Sequence, residues 1–128
     1  MSESRGPDPV LDALKFRLRR FAAERDWDQF HSPKNLAAAL IVEAAELVEH
    51  FQWLTDAESA NLPPETRKEV DLELADVLIY MVRLADKLSI DLPEAADKKI
   101  ALNEQKYPAG QVRGSARKHT EYGEKEIS

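Results

Sequence analysis

Apolar residues at the start of the chain recur at helical steps. Leu11, Leu14, Leu18 and Phe21 lie three or four positions apart, which predicts one amphipathic helix from Pro9 to about Asp26. Lys15, Arg17, Arg20 and Glu24 occupy its other face, and Trp27 to His31 form a connector. Ser32 then reads as an N-cap with Pro33 at the first helical position, opening a second helix that runs to about Leu54. The break Asn61-Leu62-Pro63-Pro64 precedes a third helix, about Glu65 to Leu88. Asp91-Leu92-Pro93-Glu94 has the form of a capping box for a fourth helix, which ends near Lys106 before Pro108. Neither a strand alternation nor an internal repeat is visible. The expectation is an all-α four-helix bundle. Residues 1–8 form a flexible leader, 9–107 a single helical domain, and 108–128 a mobile or partner-dependent tail poor in apolar residues.

Helices 2 and 3 are apolar nearly all round over their middles, which predicts that they lie at the centre. Faces that broad exceed what one small bundle can cover, so packing into an oligomer is expected. Yet these two helices also carry acids. Leu36 to Val48 reads LAAALIVEAAELV, with Glu43 and Glu46 as its only charged residues. Leu72 to Val82 reads LELADVLIYMV, with Glu73 and Asp76 as its only charges. Each pair is spaced i, i+3, so both members share one face.

Isolated carboxylates in apolar surroundings are costly, and adjacent ones protonate or repel. A cation between them removes the difficulty. The donor set is all oxygen, which suits a hard ion such as Mg2+, and magnesium readily shares its shell with phosphate oxygens. Two other readings stay open: the acids pair with Lys or Arg from neighbouring helices, or they form a di-iron site. Against the first, neither apolar stretch contains a base. Against the second, no Glu-x-x-His spacing follows either pair. Glu49, next along helix 2 near Glu46 and Trp53, is either a further ligand, a base for an attacking water, or a solvated glutamate. Glu69, Glu73, Asp76 and Tyr80 follow one line of helix 3.

Bulk properties narrow the class. A chain of 128 residues with 43% apolar and 33% charged residues suits one soluble globular domain. With no cysteine there is no disulfide, zinc-thiolate or thiol nucleophile. The net charge of −6 argues against a nucleic-acid polymer as partner, while a nucleotide remains compatible once metal ions are present. No signal-peptide pattern or membrane-length apolar run is seen, so a cytoplasmic location is expected.

Three stretches carry a family resemblance: RDWDQFHSPKNLAAALIVEAAELVEHFQW, ELADVLIYMVRLA and IDLPEAADKKIALNEQKYP. Together with the tail stretch RGSARKHTEY, they resemble the MazG-type all-α nucleoside triphosphate pyrophosphatases, and within them the branch acting on dCTP. A lone ExxE is weak; ExxE, then FQW, then ExxDVLIY is specific. The resemblance implies that Glu43, Glu46, Glu73 and Asp76 bind Mg2+, the same four that spacing singles out. It implies hydrolysis of a nucleoside triphosphate, dCTP or a modified dCTP, to the monophosphate and pyrophosphate, with water attacking the α-phosphorus. It also implies a homotetramer built from dimers.

Trp27, Trp53 and Tyr80 match the aromatic positions of the family's base pocket, where a ring face stacks on a base; read without the resemblance they are core aromatics. Asn103, Lys106 and Tyr107 match the Asn-x-x-basic-Tyr-Pro that closes the last helix. By that match Asn103 meets the base or sugar and Lys106 meets phosphate; alternatively Lys106 is a favourable cation at a helix C-terminus. His31 and Lys34, with Asn35, sit at the start of helix 2, where an anion can be held, although His31 also reads as a simple connector residue. One departure stands out: Leu18 occupies a place where some members carry a histidine, which puts base selectivity in question. Two rivals remain, a related hydrolase of another phosphoanhydride and a non-catalytic helical interaction protein.

Overall fold

The computed structural model describes residues 8–114. Among these there is no strand. The helices are α1 (Pro9–Glu24), α2 (Pro33–Glu49), α3 (Asp56–Ala60), α4 (Pro64–Lys87), α5 (Leu92–Lys106) and α6 (Ala109–Val112), with a 3-10 turn at Asp28–Phe30. The chain divides into two compact units after Asp91, with α1–α4 in one and α5 and α6 in the other. The all-helical expectation holds. The short helices α3 and α6 were not expected, and helix 2 stops at Glu49 rather than near Leu54.

The helix starts follow local chemistry. Asp8 accepts from the amides of Val10 and Leu11 at 3.2 and 3.1 Å, with Pro9 next. Ser32 Oγ accepts from Asn35 N at 3.1 Å ahead of α2, and Pro64 occupies the first turn of α4. Thr55 and Glu58 form a reciprocal capping box that creates α3. These contacts satisfy amides that have no partner inside the helix.

The helix ends matter more for the site. Asp26 adopts φ 53°, and Trp27 N donates to Ala22 O at 2.9 Å while Asp26 N donates to Ala23 O at 3.2 Å. This is a Schellman turn without the usual glycine. It reverses the chain after α1 and brings Trp27 back beside that helix. Ser89, also at φ 53°, closes α4 in the same way, with Ile90 N on Ala85 O at 2.8 Å. Both receiving alanines are buried, which is consistent with a tight turn folding over a small side chain.

Within the first unit, α4 is the hub: α2 packs along it, and α1 packs against it elsewhere. A bidentate pair, Arg19 Nε and Nη2 on Asp86 at 2.7 and 2.5 Å, ties α1 to α4. The core is small: Ala22, Leu36, Val70, Val82 and Ala85, with Arg83 as its one charged member among the described residues. The central position expected for helices 2 and 3 holds for their mutual contact. In the lone chain, however, Ile41, Val42 and Val48 on α2 and Leu72, Leu74 and Leu78 on α4 are exposed. Among the described residues no helix is long and apolar enough to cross a membrane.

Candidate metal centre and adjoining pocket

The contact between α2 and α4 brings the acids together. Glu43 from α2 and Glu73 and Asp76 from α4 each offer a carboxylate oxygen, and these oxygens lie within 4.8 Å of one another. All three side chains are half-buried. Glu43 Oε2 and Glu73 Oε2 are buried without a hydrogen-bond partner. An ionised carboxylate can only accept, so such atoms need a donor or a cation. The Glu43 carboxyl is pushed up to about 7, first by burial, then by its hydrogen bond to Glu46 and by the charges of Glu46 and Asp76. Glu46 thus sits against Glu43 and is the fourth acid rather than one of the converging three.

The alternative of neutralisation by Lys or Arg is not borne out among the described residues: no such ion pair reaches Glu43, Glu46, Glu73 or Asp76. The basic neighbour that does approach is His50, whose Nε2 lies 3.9 Å from Glu73 Oε1 and whose Nδ1 lies 3.6 Å from Glu69 Oε2. Neither apolar stretch itself contains a base; His50 lies just beyond Leu36–Val48 and approaches Glu73 from there. His50 follows Glu46 by one turn in sequence, a signal that could have been read. Three converging oxygens, two of the groups with orphaned buried acceptors, fit a hard divalent cation.

Beside the acids, a cavity of about 500 Å³ opens between α1, the connector and α4. Its walls include Leu14, Leu18, Phe21, Trp27, His31, Ile79, Tyr80 and Arg83, and also Asp76. That size falls within the range of small-molecule sites. Trp27 meets Phe21 edge-on, centroids 5.7 Å apart at 70°. Tyr80 stands one turn beyond Asp76 on α4, its hydroxyl pKa raised by burial and by Glu43 and Asp76. Leu18 lies in the wall, so the departure noted at that position falls within the pocket.

The structure distributes the remaining candidates unevenly. Trp27, His31 and Tyr80 line the cavity. Trp53 does not: because α2 ends at Glu49, it falls in the turn beyond and is 86% exposed. The expectation that Trp53 lies on helix 2 near Glu46 and Glu49 is corrected accordingly, since the helix ends at Glu49. Glu49 and Lys34 are exposed, at the last and first turns of α2. Asn103, Lys106 and Tyr107 belong to the second unit.

Sequence reading missed Arg83, a buried cation in the cavity wall. Its Nη2 donates to Asp28 Oδ1 at 2.9 Å, and Lys87 Nζ donates to the same oxygen at 2.6 Å. Asp28 is held below the usual carboxylate range by Lys87 and then Arg83. The clue was available: Asp76, Tyr80 and Arg83 are spaced i, i+4, i+7, one stripe of one helix.

The first unit is thus a helical protein in which a cluster of three carboxylates shares Asp76 with an aromatic-walled cavity. Comparison with known proteins gives the particular family. Residues 39–122 match the MazG-like family, and the chain belongs to it. Mouse dCTP pyrophosphatase 1 is 47% identical over 117 residues, covering 90% of this chain and 69% of the mouse protein, and the human protein of that name gives the same figures. The crystal structure of a pyrophosphatase from Archaeoglobus fulgidus superposes with a TM-score of 0.75 at 38% identity, covering 83% of this chain and 99% of that one.

Proposed function

We propose that this protein is a nucleotide pyrophosphohydrolase of the dCTP diphosphatase type, using Mg2+ to convert dCTP or a modified dCTP to the monophosphate and pyrophosphate. The observation that carries the reading is Asp76, which belongs both to the acidic cluster and to the cavity wall. A ligand seated in the cavity therefore has its phosphates beside the cation site. The names of the relatives, dCTP pyrophosphatase 1 and a pyrophosphatase, agree with that reading.

Glu43, Glu73 and Asp76 would hold the cation, with Glu46 behind Glu43. Bound there, a divalent cation neutralises charge on phosphate oxygens and makes water a better nucleophile. The protein's own residues do the positioning. Trp27, Phe21 and Tyr80 offer ring surfaces that bind a base and exclude water. In the overall reaction, one water adds to the α-phosphorus and its bond to the bridging oxygen breaks, releasing pyrophosphate. No covalent nucleophile is invoked.

We further assign the exposed apolar faces of α2 and α4 to a homo-oligomer, a tetramer by family likeness. Trp53 joins a nucleotide site only if assembly covers it. The test of the function is pyrophosphate release from a panel of canonical and modified triphosphates with and without Mg2+. Preference for a cytosine nucleotide, abolished by chelation, is expected. A purine triphosphate or dUTP preferred by a wide margin defeats the cytosine assignment, and release unaffected by chelation defeats the metal assignment.

A further inference from the structure

We infer that Arg83 is a positioning residue that sets the hydrogen-bond polarity of the pocket through His31, so that the pocket selects a base presenting an acceptor. This rests on the nucleotide reading above and adds to it a determinant of base choice.

A guanidinium has five N–H donors and no acceptor. Arg83 Nη2 lies 3.2 Å from His31 Nδ1, so that ring nitrogen must be the acceptor. A neutral imidazole accepting at Nδ1 carries its proton on Nε2. Among the described residues the ring's hydrogen bond is at Nδ1, and His31 lines the cavity. The pocket is thereby offered a fixed donor, Nε2–H.

Arg83 is well placed to impose this. It is 4% exposed, and the same Nη2 that meets His31 also donates to Asp28 Oδ1 at 2.9 Å, an oxygen that Lys87 grips as well. Asp86 lies 3.8 Å from its Nη1, and Asp86 is itself engaged by Arg19. Burial and the Asp28 hydrogen bond at Nη2 keep that donor beside the imidazole. Around His31, burial and then the Arg83 charge disfavour the imidazolium, against the opposing charge of Asp28, while Lys87 adds to the effect. Arg17 and Asp76 are the other charged groups in the cavity wall.

The chemical consequence is a filter. The N3 and O2 edge of cytosine consists of acceptors. Uracil and thymine present an N3–H there, a donor facing a donor. A site built around one polarity rejects the mismatched partner strongly, because a buried group is left unpaired.

The test uses full-length Arg83→Met and Arg83→Lys. In Arg83→Met the selectivity for dCTP over dUTP should fall by about tenfold through KM, as His31 becomes free to turn its acceptor to the ligand, with kcat for dCTP within about threefold. Lysine can still donate to Nδ1, so Arg83→Lys should restore most of the selectivity. Nitrogen-15 imidazole spectra should show His31 as the neutral Nε2–H form in the wild type, with imidazolium and Nδ1–H forms appearing in Arg83→Met. Unchanged selectivity in a folded Arg83→Met protein, or an unchanged His31 spectrum, overturns the inference. Should Arg83→Met fail to fold, a His31 spectrum of the wild type showing the Nδ1–H form or imidazolium overturns it equally. If the wild type hydrolyses no triphosphate, the functional reading fails and the selectivity role with it, while the imidazole spectra still judge the hold of Arg83 on His31.

Discussion

Metal binding at the acidic cluster should be a competition with one proton. Glu43 titrates near 7, raised by burial and by Glu46, Asp76 and Glu73, whereas a cation needs it ionised. Apparent affinity for Mg2+ should therefore be nearly constant above pH 8, halved at about pH 7, and weakened by about elevenfold at pH 6 relative to its high-pH limit. Calorimetric titration in buffers of different ionisation heat reads both the affinity and the protons released, which should approach about one per site at pH 6.

The same shift governs the metal-free protein with a definite sign. A carboxyl raised from 4.5 binds its proton more tightly folded than unfolded, so its contribution to stability is present below 4.5 and is lost as pH rises through about 7. His31 acts oppositely: its lowered value costs stability as pH falls below 6.5. Asp28 and Asp86 are lowered from 3.8, so their contributions are lost only as pH falls below that range and barely vary at the pH values where Glu43 and His31 titrate. The difference in melting temperature between wild type and Glu43→Gln, followed from pH 5 to 8 without metal, isolates the Glu43 effect. Affinity flat from pH 5.5 to 8 with no proton release would refute the reasoning.

Asp76→Asn should lower Mg2+-dependent pyrophosphate release by a hundredfold or more, about 3 kcal/mol of barrier, while circular dichroism stays helical. A Trp27→Ala variant should raise KM for the nucleotide by about tenfold to a hundredfold through lost stacking, with a smaller change in kcat; an unchanged KM removes Trp27 from the pocket. Leu36→Ala, at a position 1% exposed, should cost about 2–4 kcal/mol in urea unfolding. Ser89→Gly should stabilise by about 0.5–1 kcal/mol, because glycine adopts the left-handed turn at φ 53° without penalty.

The helices and the identity of the acids were legible in the chain itself. Caps such as Ser32, breaks such as Pro63-Pro64 and the spacing of Leu11, Leu14 and Leu18 act within a few residues, so they can be read locally. The i, i+3 pairs of Glu43 with Glu46 and Glu73 with Asp76 stood out because a charge in an apolar run needs a partner. What only the tertiary structure decided is who meets whom. The packing of α2 on α4 selects Glu43, Glu73 and Asp76 as the converging trio and leaves Glu46 behind. The end of α2 at Glu49 sends Trp53 out to solvent, and the left-handed turn at Asp26 swings Trp27 into the cavity wall. Arg83 and His31 are 52 positions apart and meet because α4 carries one past the connector that holds the other. Helical periodicity places a side chain on a face; the neighbour opposite that face is chosen by the packing of elements distant in sequence.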